Sequence, residues 1–254
     1  MGGIFIVFNK RIIKPLICFI LILSTLPIKT NAKIIAGLDP QEIIEYTGYL
    51  NDDTTYSYFP HDDIKNHTTY VGKEVKVLNY PSVNKYKKVI LNNEVCWIKE
   101  KYISEINPVV KTLDIAHYTR KSFMDFRTIT SQTSDQWKMQ YSNAYTGTNG
   151  IRMVKNRYCI AVGSYFSQKI GTKIDLLIKQ KDGSVDVARC ILADCKADIH
   201  TYNNHIYGLD GGVAEFLVTT EMLSQKAQTM GDVSYTDDIL SGDIVKVIVY
   251  KWLN

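Results

Sequence analysis

Five segments in the second half of the chain have the composition of buried β-strands, and they constrain the fold more than any other feature. They are short, rich in aliphatic and β-branched residues and separated by turn residues; they span residues 157–164, 173–179, 186–193, 213–219 and 244–250. Asp182-Gly183, between the second and the third, is typical of a tight hairpin turn. Residues 220–230 predict one short helix, capped by Thr219 or Thr220 and ended by Gly231. The pattern predicts a β domain over residues 146–254, closed as a small barrel rather than an open sheet.

The first residues have the order of a secretory signal peptide. Lys10, Arg11 and Lys14 precede an apolar run over residues 15–23, and the small residue Ala32 follows. The run is shorter than the roughly 20 residues that a membrane-spanning helix needs. We therefore expect residues 1–32 to be removed, and the mature chain to be secreted without a stable membrane anchor.

The positive charge of the chain belongs to this segment. Residues 1–32 contain no acid, and without them 26 of the 30 basic residues remain, equal to the 26 acidic ones. A neutral chain with no basic stripe lacks the usual signature of a phosphate-backbone partner. Nucleic acid is therefore excluded as an expected ligand.

Four cysteines follow the predicted cleavage site: Cys96, Cys159, Cys190 and Cys195. An even number outside the cell permits disulfides. Cys159 and Cys190 both lie on strand-like segments that can be neighbours in a sheet, so we predict a Cys159–Cys190 disulfide, the alternative being four free, apolar side chains. The absence of a CxxC pair argues against a structural zinc site.

The first half of the chain divides into three parts. Residues 33–70 read as a loosely structured lead, with a short helical pattern over residues 39–46. Residues 71–106 contain three short strand-like segments around a Pro-Ser turn. Residues 107–145 are polar and read as a linker, partly docked on the domain that follows.

Residues 71–106 resemble the bacterial SH3 family. The carrying features are the strand followed by Tyr80-Pro81-Ser82 and the closing sequence Trp97-Ile98-Lys99-Glu100-Lys101-Tyr102-Ile103-Ser104. The resemblance implies a small SH3-like β segment that binds cell-wall peptide or glycan, with Tyr80 and Trp97 as ring platforms. The alternative is that these rings belong to the core.

Residues 146–254 resemble the double-psi β-barrel superfamily, which includes the 3D (three-aspartate) domain, lytic murein transglycosylase A and rare lipoprotein A. The carrying segments are Tyr158-Cys-Ile-Ala-Val-Gly-Ser164, Ile170-Gly-Thr-Lys-Ile174, Cys190-Ile-Leu-Ala-Asp194 and Gly211-Gly-Val-Ala-Glu-Phe216. The resemblance implies a six-stranded double-psi barrel with one short helix. The whole chain is similar to secreted wall proteins of Gram-positive, clostridial type, which makes peptidoglycan or another wall polymer the expected partner.

Two hypotheses for function follow, and both stay open on the sequence. In the first, Asp194 at a strand end is the general acid/base of a lytic transglycosylase, or one of two carboxylates of a glycosidase with Asp198 or Asp210 as the second. In the second, the protein binds wall polymer without cleaving it, which the lack of a clearly placed second carboxylate favours. His200 is a candidate ligand-binding residue in either case.

Two further interpretations use the same segment. Asp194, Asp198, His200 and His205 have the side-chain types of a metal site, but the chain lacks a metal-binding spacing such as HExxH. Cys195 could act as a nucleophile with His200 as its base. We expect neither a metal nor an organic cofactor.

Overall fold

Residues 43–61, 67–117 and 119–252 are described by the computed structural model, and they are mainly β. The predicted signal peptide and the start of the lead lie outside the described residues. No helix in the described ranges is long and apolar enough to cross a membrane. The described residues form one compact unit, which contains two large sheets and a small hairpin.

The first sheet has seven strands in the order β3-β2-β6-β5-β4-β1-β7, and all its pairs are antiparallel. Aliphatic side chains and Cys96 fill its core, including Leu50, Val77 and Ile98. The strands are β1 (Ile44–Leu50), β2 (Thr54–Ser57), β3 (His67–Thr69), β4 (Glu74–Leu78), β5 (Tyr86–Leu91), β6 (Glu94–Lys99) and β7 (Ile103–Ser104).

The lead is therefore part of this sheet. Strands β1 and β2 pair with β4 and β6, which lie in the segment predicted over residues 71–106. The helix predicted over residues 39–46 is wrong for residues 44–46, because these residues belong to β1, which begins at Ile44. Residues 39–42 lie outside the described residues. The sheet that contains residues 71–104 thus also contains strands from before residue 71.

The second sheet carries the domain predicted from the five strand-like segments. Its order is β10-β11-β12-β14-β13-β18-β8, and β17 pairs with both β12 and β9. The pairs β12–β14 and β17–β9 are parallel. The strands are β8 (Val109–Asp114), β9 (Phe123–Asp125), β10 (Tyr145–Thr146), β11 (Arg152–Val154), β12 (Arg157–Val162), β13 (Lys173–Lys179), β14 (Val185–Cys195), β17 (Ala214–Val218) and β18 (Asp243–Tyr250), and β15 (Thr201–Tyr202) and β16 (Tyr207–Gly208) form the separate hairpin.

All five predicted strands are confirmed, as is the turn at Gly183, whose φ is 88°. Two expectations need correction. The strand order is an open path from β10 to β8, so the described strands do not form a closed barrel. The linker is also more ordered than predicted, because β8 and β9 both extend the second sheet.

The helices are short. Helix α1 (Asp135–Lys138) continues into a π-helical turn over Met139–Asn143, and α2 is Gln225–Met230. The helix predicted over residues 220–230 is interrupted, because Leu223 is extended and separates a 3₁₀ turn, Thr220–Met222, from α2. Ser224 caps α2 by accepting a hydrogen bond from the Ala227 N–H at 3.1 Å, and Gly231 ends it with a φ of 63°. The other 3₁₀ turns are Glu100–Tyr102, Phe126–Thr128, Asp198–His200 and Val233–Tyr235.

The predicted Cys159–Cys190 disulfide is absent, since all four cysteines of the described residues are free. The two residues do lie on paired strands, but Tyr158 is the register partner of Cys190, and Cys159 pairs with Ile191. A shift of one residue places side chains on opposite faces of a sheet. Cys190 accordingly packs in the large core and Cys159 in a smaller cluster with Met139.

Candidate active site

A cleft of about 500 Å³ lies at the end of β14, and we call it the Asp194 cleft. Three residues predicted from the sequence meet there: Asp194, Asp210 and His200. Two charged residues that the sequence interpretation did not single out, Lys196 and Glu215, complete its polar wall. The other lining residues are Met124, Cys195, Ala197 and Leu209.

Asp194 and Glu215 lie on either side of Ala161, because β12 is flanked by β14 and β17. Ala161 is the register partner of both residues. A bulge makes this possible: the register of β14 shifts by one between Leu192 and Asp194, so Asp194 takes the place that Ala193 would have in an unbroken ladder. Bulges commonly re-aim a side chain next to a functional site. The two carboxyl groups thereby come to the same cleft.

The side chain of Asp194 is half-buried, and its pKa is raised. Burial is the main cause, because it disfavours the charged form. Hydrogen bonds from the Cys195 N–H and from the Gln136 side chain lower the pKa in part, without cancelling the effect of burial. Gln136 belongs to α1, which covers this face of the sheet. Asp194 therefore keeps its proton to a higher pH than an ordinary aspartate.

Glu215 and Asp210 share the cation of Lys196 but respond differently. The Lys196 Nζ lies 3.7 Å from Glu215 Oε2 and 3.6 Å from Asp210 Oδ1, and only 9% of the lysine side chain is exposed. Burial raises the pKa of Glu215, and the negative charges of Asp210 and Asp194 raise it further. Together these effects outweigh the positive charge of Lys196, which lowers the pKa.

For Asp210 the balance is reversed. Burial again raises the pKa, but the hydrogen bond from the Gly212 N–H, at 3.0 Å, and the charge of Lys196 help to lower it below the usual value. The cleft thus holds two carboxyl groups that tend to keep a proton, Asp194 and Glu215, and one that is ionised. Carboxyl groups with pKa values pushed apart by their surroundings are a frequent feature of acid–base catalytic sites.

Asp198 lies outside the lining of the cleft. It is exposed, accepts a hydrogen bond from the Ser164 hydroxyl at 2.6 Å and lies 3.5 Å from the Nδ1 atom of His205. These contacts hold the 3₁₀ turn that carries His200 into the cleft. Of the two residues predicted as a second carboxylate, the structure brings Asp210 to Asp194 and leaves Asp198 at the rim.

The metal and thiol interpretations find no support. No three His, Cys, Asp or Glu side chains of the described ranges, which include residues 194–205, are grouped so that they could hold a metal ion. Burial and the charge of Asp194 raise the pKa of Cys195 to about 11. A thiol with that pKa is almost fully protonated near neutral pH and is a poor nucleophile.

The two predicted ring platforms of the first sheet differ in exposure. Trp97 is a core residue with 8% of its surface exposed, whereas Tyr80 is 38% exposed. Their rings meet edge to face at 5.6 Å, and the ammonium group of Lys88 lies over Tyr80. Trp97 is thus too buried to receive a ligand on its face, and Tyr80 alone keeps the predicted accessibility.

Glu215 could have been identified as a candidate site residue from the sequence alone. It is the single charged residue in Ala214–Val218, a strand whose other side chains are all buried. A carboxylate within such a strand needs a partner or a function. The signal for Lys196 is weaker, because its ion pairs depend on β17 and on the loop at Asp210.

Comparison with known proteins gives no match. Neither a protein-family model, nor a curated protein, nor a solved structure is similar to this chain at a significant level. The arguments for its function therefore rest on the cleft itself.

Proposed function

We propose that the protein is a secreted enzyme that cleaves a cell-wall glycan by carboxyl acid–base catalysis in the Asp194 cleft. One observation carries the proposal: Asp194 and Glu215 flank Ala161 in a single cleft, and the pKa of each is raised. Secretion and the wall polymer as substrate come from the sequence pattern of residues 1–32 and from the family resemblances. The relation to the double-psi superfamily belongs to the proposal too, and the mixed pairing of β12 supports it.

Asp194 acts as the general acid. Its carboxyl proton passes to the glycosidic oxygen as the bond from that oxygen to the sugar carbon breaks, which leaves positive charge on the sugar ring. The ionised Asp210 lies where it can stabilise this charge. Asp194, now a carboxylate, then accepts a proton from a hydroxyl group, and its starting state is restored.

The source of that hydroxyl distinguishes two forms of the reaction. If it belongs to the sugar itself, the product is an anhydro sugar and Asp194 suffices. If it is water, Glu215 in its ionised form takes the proton of the attacking water, and proton exchange of both carboxyl groups with solvent then restores protonated Asp194 and ionised Glu215.

The test is digestion of purified peptidoglycan, with released fragments analysed by mass spectrometry. Asp194→Asn should lower the rate of release by at least about 100-fold, the usual contribution of a general acid. Asp182→Asn is the matched control, because it removes an exposed carboxylate in the hairpin turn between β13 and β14, outside the cleft, and it should release fragments normally. Glu215→Gln should abolish release only if the products carry ordinary reducing ends. Fragments released equally well by Asp194→Asn would contradict the proposal.

A second candidate function is binding of wall polymer without cleavage. The observation that favours it is an aromatic surface on α1 and the following turn: the ring of Tyr141, 47% exposed, stacks on Trp137 at 4.6 Å. Gln136, next to Trp137, hydrogen-bonds to Asp194, so α1 is connected to the cleft through this residue. Sedimentation of the protein with peptidoglycan, without any released fragment, would favour this function over the enzyme.

A further inference from the structure

A second cleft, of about 460 Å³, lies between the two sheets, and we call it the Arg189 cleft. Its floor is the outer face of β13, β14 and β18, where the half-buried side chains of Leu177, Val187 and Ile248 present an aliphatic surface. Its walls come from the first sheet, namely from the turn over residues 70–73 and the hairpin turn at Asn92. The cleft contains none of the residues of the Asp194 cleft.

The turn over residues 70–73 is fixed against the second sheet. Gly72 has a φ of 80°, and a Cβ atom at this position would lie 2.5 Å from the ring of Tyr250, so the backbone packs directly on that tyrosine. The Val71 N–H donates to Asp53 Oδ1 at 3.1 Å, and Asp53 is paired with Arg157. The walls of the cleft are therefore preformed, which reduces the entropy that a ligand would lose on binding.

The Arg189 cleft is lined by a cationic group whose charge no carboxylate of the lining neutralises. The guanidinium of Arg189 lies 3.6 Å from the ring centre of Tyr70, which holds it in place by a cation–π contact. Its Nη1 donates a long hydrogen bond to the Val187 carbonyl oxygen at 3.4 Å, and its buried Nε has no hydrogen-bond partner among the described residues. The carboxylate of Asp175, which also lines the cleft, is already bound by Arg157 at 2.9 Å and by the Tyr250 hydroxyl at 3.0 Å. The ammonium group of Lys73, on an exposed residue of the rim, adds a second positive charge.

We propose that the Arg189 cleft binds a carboxylate attached to an aliphatic group. A guanidinium that is covered on one face offers its N–H groups in the plane of the fork, which matches the two oxygens of a carboxylate. The aliphatic floor selects against a fully hydrophilic anion such as phosphate. Burying the side chains of Leu177, Val187 and Ile248 lowers the free energy of binding only where apolar atoms of the ligand pack on them. Thr68, Thr69 and Asn92 provide hydroxyl and amide groups for further polar atoms of the ligand.

Two kinds of ligand carry a carboxylate attached to an aliphatic group: a short free acid and the C-terminal end of a peptide. Isothermal titration with isovalerate and with N-acetyl-alanyl-alanine separates them, and the C-terminal amide of the same peptide and inorganic phosphate serve as ligand controls. At least one of the two carboxylates should bind, and the amide and phosphate should bind more weakly. Equal binding of the peptide and its amide, tighter binding of phosphate, or no binding of either carboxylate would overturn the proposal.

Variants assign the binding to the cleft. Arg189→Gln should raise the dissociation constant of the carboxylate by about 10- to 100-fold, which is the usual effect of losing a hydrogen bond to a charged group. Lys73→Gln, on an exposed turn, should keep the fold and weaken binding up to about fivefold. Lys226→Gln, an exposed lysine of α2, should have no effect, and neither should Asp194→Asn, so the outcome is independent of the catalytic proposal. If Arg189→Gln does not fold, an unchanged affinity of Lys73→Gln at low ionic strength would by itself overturn the assignment.

Discussion

Arg157 and Asp53 form a two-pronged ion pair across 104 positions of the chain, with Arg157 Nη2 lying 2.8 Å from Asp53 Oδ1. The same guanidinium donates to Asp175 Oδ1 at 2.9 Å and to the carbonyl oxygen of Cys190. Only 3% of the arginine side chain is exposed. Asp53 lies in the turn between β1 and β2 of the first sheet and Asp175 on β13 of the second, so one buried cation joins the two sheets.

Removal of this cation should destabilise the whole unit. Arg157→Met leaves the buried Asp175 and the half-buried Asp53 without their partner, and breaking a buried pair on one side costs about 3–5 kcal/mol. We expect a loss of this size in the free energy of urea unfolding. The control is Arg127→Met, which removes an exposed arginine paired with Asp125 and Glu221. Equal losses in the two variants would show that the Arg157 network is not the junction that we describe.

The thiols give a second prediction. We expect the purified protein to contain no disulfide, because Cys159 and Cys190 lie on opposite faces of the sheet. Iodoacetamide should modify only the half-buried Cys195 in the native state, slowly near neutral pH and faster as the pH rises towards its pKa of about 11. All of Cys96, Cys159, Cys190 and Cys195 should react in urea without reductant. A native intact mass two hydrogen masses below that of the thiol form would contradict this expectation.

The sequence predicted the strands that bury their side chains and missed those that do not. Every residue of β12 is buried, and its apolar run was visible without knowing its partners. In β8, by contrast, no residue is fully buried, and in β1 only Gly48 and Leu50 are. Such strands are held by backbone pairing with distant segments, and this pairing leaves no local pattern of hydrophobicity.

The candidate site divides in the same way. Asp194 was predicted because it follows an apolar run directly, which is a local feature. Its relation to Glu215 depends on β17 pairing with β12 and on the bulge in β14, and both are properties of long-range pairing. The disulfide prediction failed for the same reason: it needed the register of a parallel pair, and an error of one residue reverses the face of a side chain.

Lys196 should control the protonation of the cleft. Its charge lowers the pKa of both Asp210 and Glu215, so Lys196→Met should raise both values. Titration of the side-chain carboxyl carbons by NMR measures them directly. Lys226→Met, far along the chain on α2, is the matched control and should change neither. Unchanged titration of Asp210 and Glu215 in Lys196→Met would contradict the ion pairs.

The raised pKa of Glu215 also predicts how stability depends on pH. Between the ordinary value of about 4.3 and the raised value, the folded state binds more protons than the unfolded state, so the free energy of unfolding falls as the pH rises through this window. Glu215→Gln cannot ionise and escapes this loss. Its stability relative to the unmodified protein should therefore be greater at pH 7 than near pH 4, as measured by urea unfolding.

Asp125 supplies a control of opposite sign. The guanidinium of Arg127 is the main cause that holds the pKa of this carboxyl below its usual range, and the hydroxyl and N–H groups of Thr220 contribute. Here the unfolded state binds more protons as the pH falls, so the stabilisation is present above the ordinary carboxyl pKa and is lost in acid. Asp125→Asn should thus be less stable than the unmodified protein at pH 7, by an amount that shrinks as the pH is lowered. If Glu215→Gln and Asp125→Asn changed stability with pH in the same direction, the raised pKa of Glu215 would be contradicted.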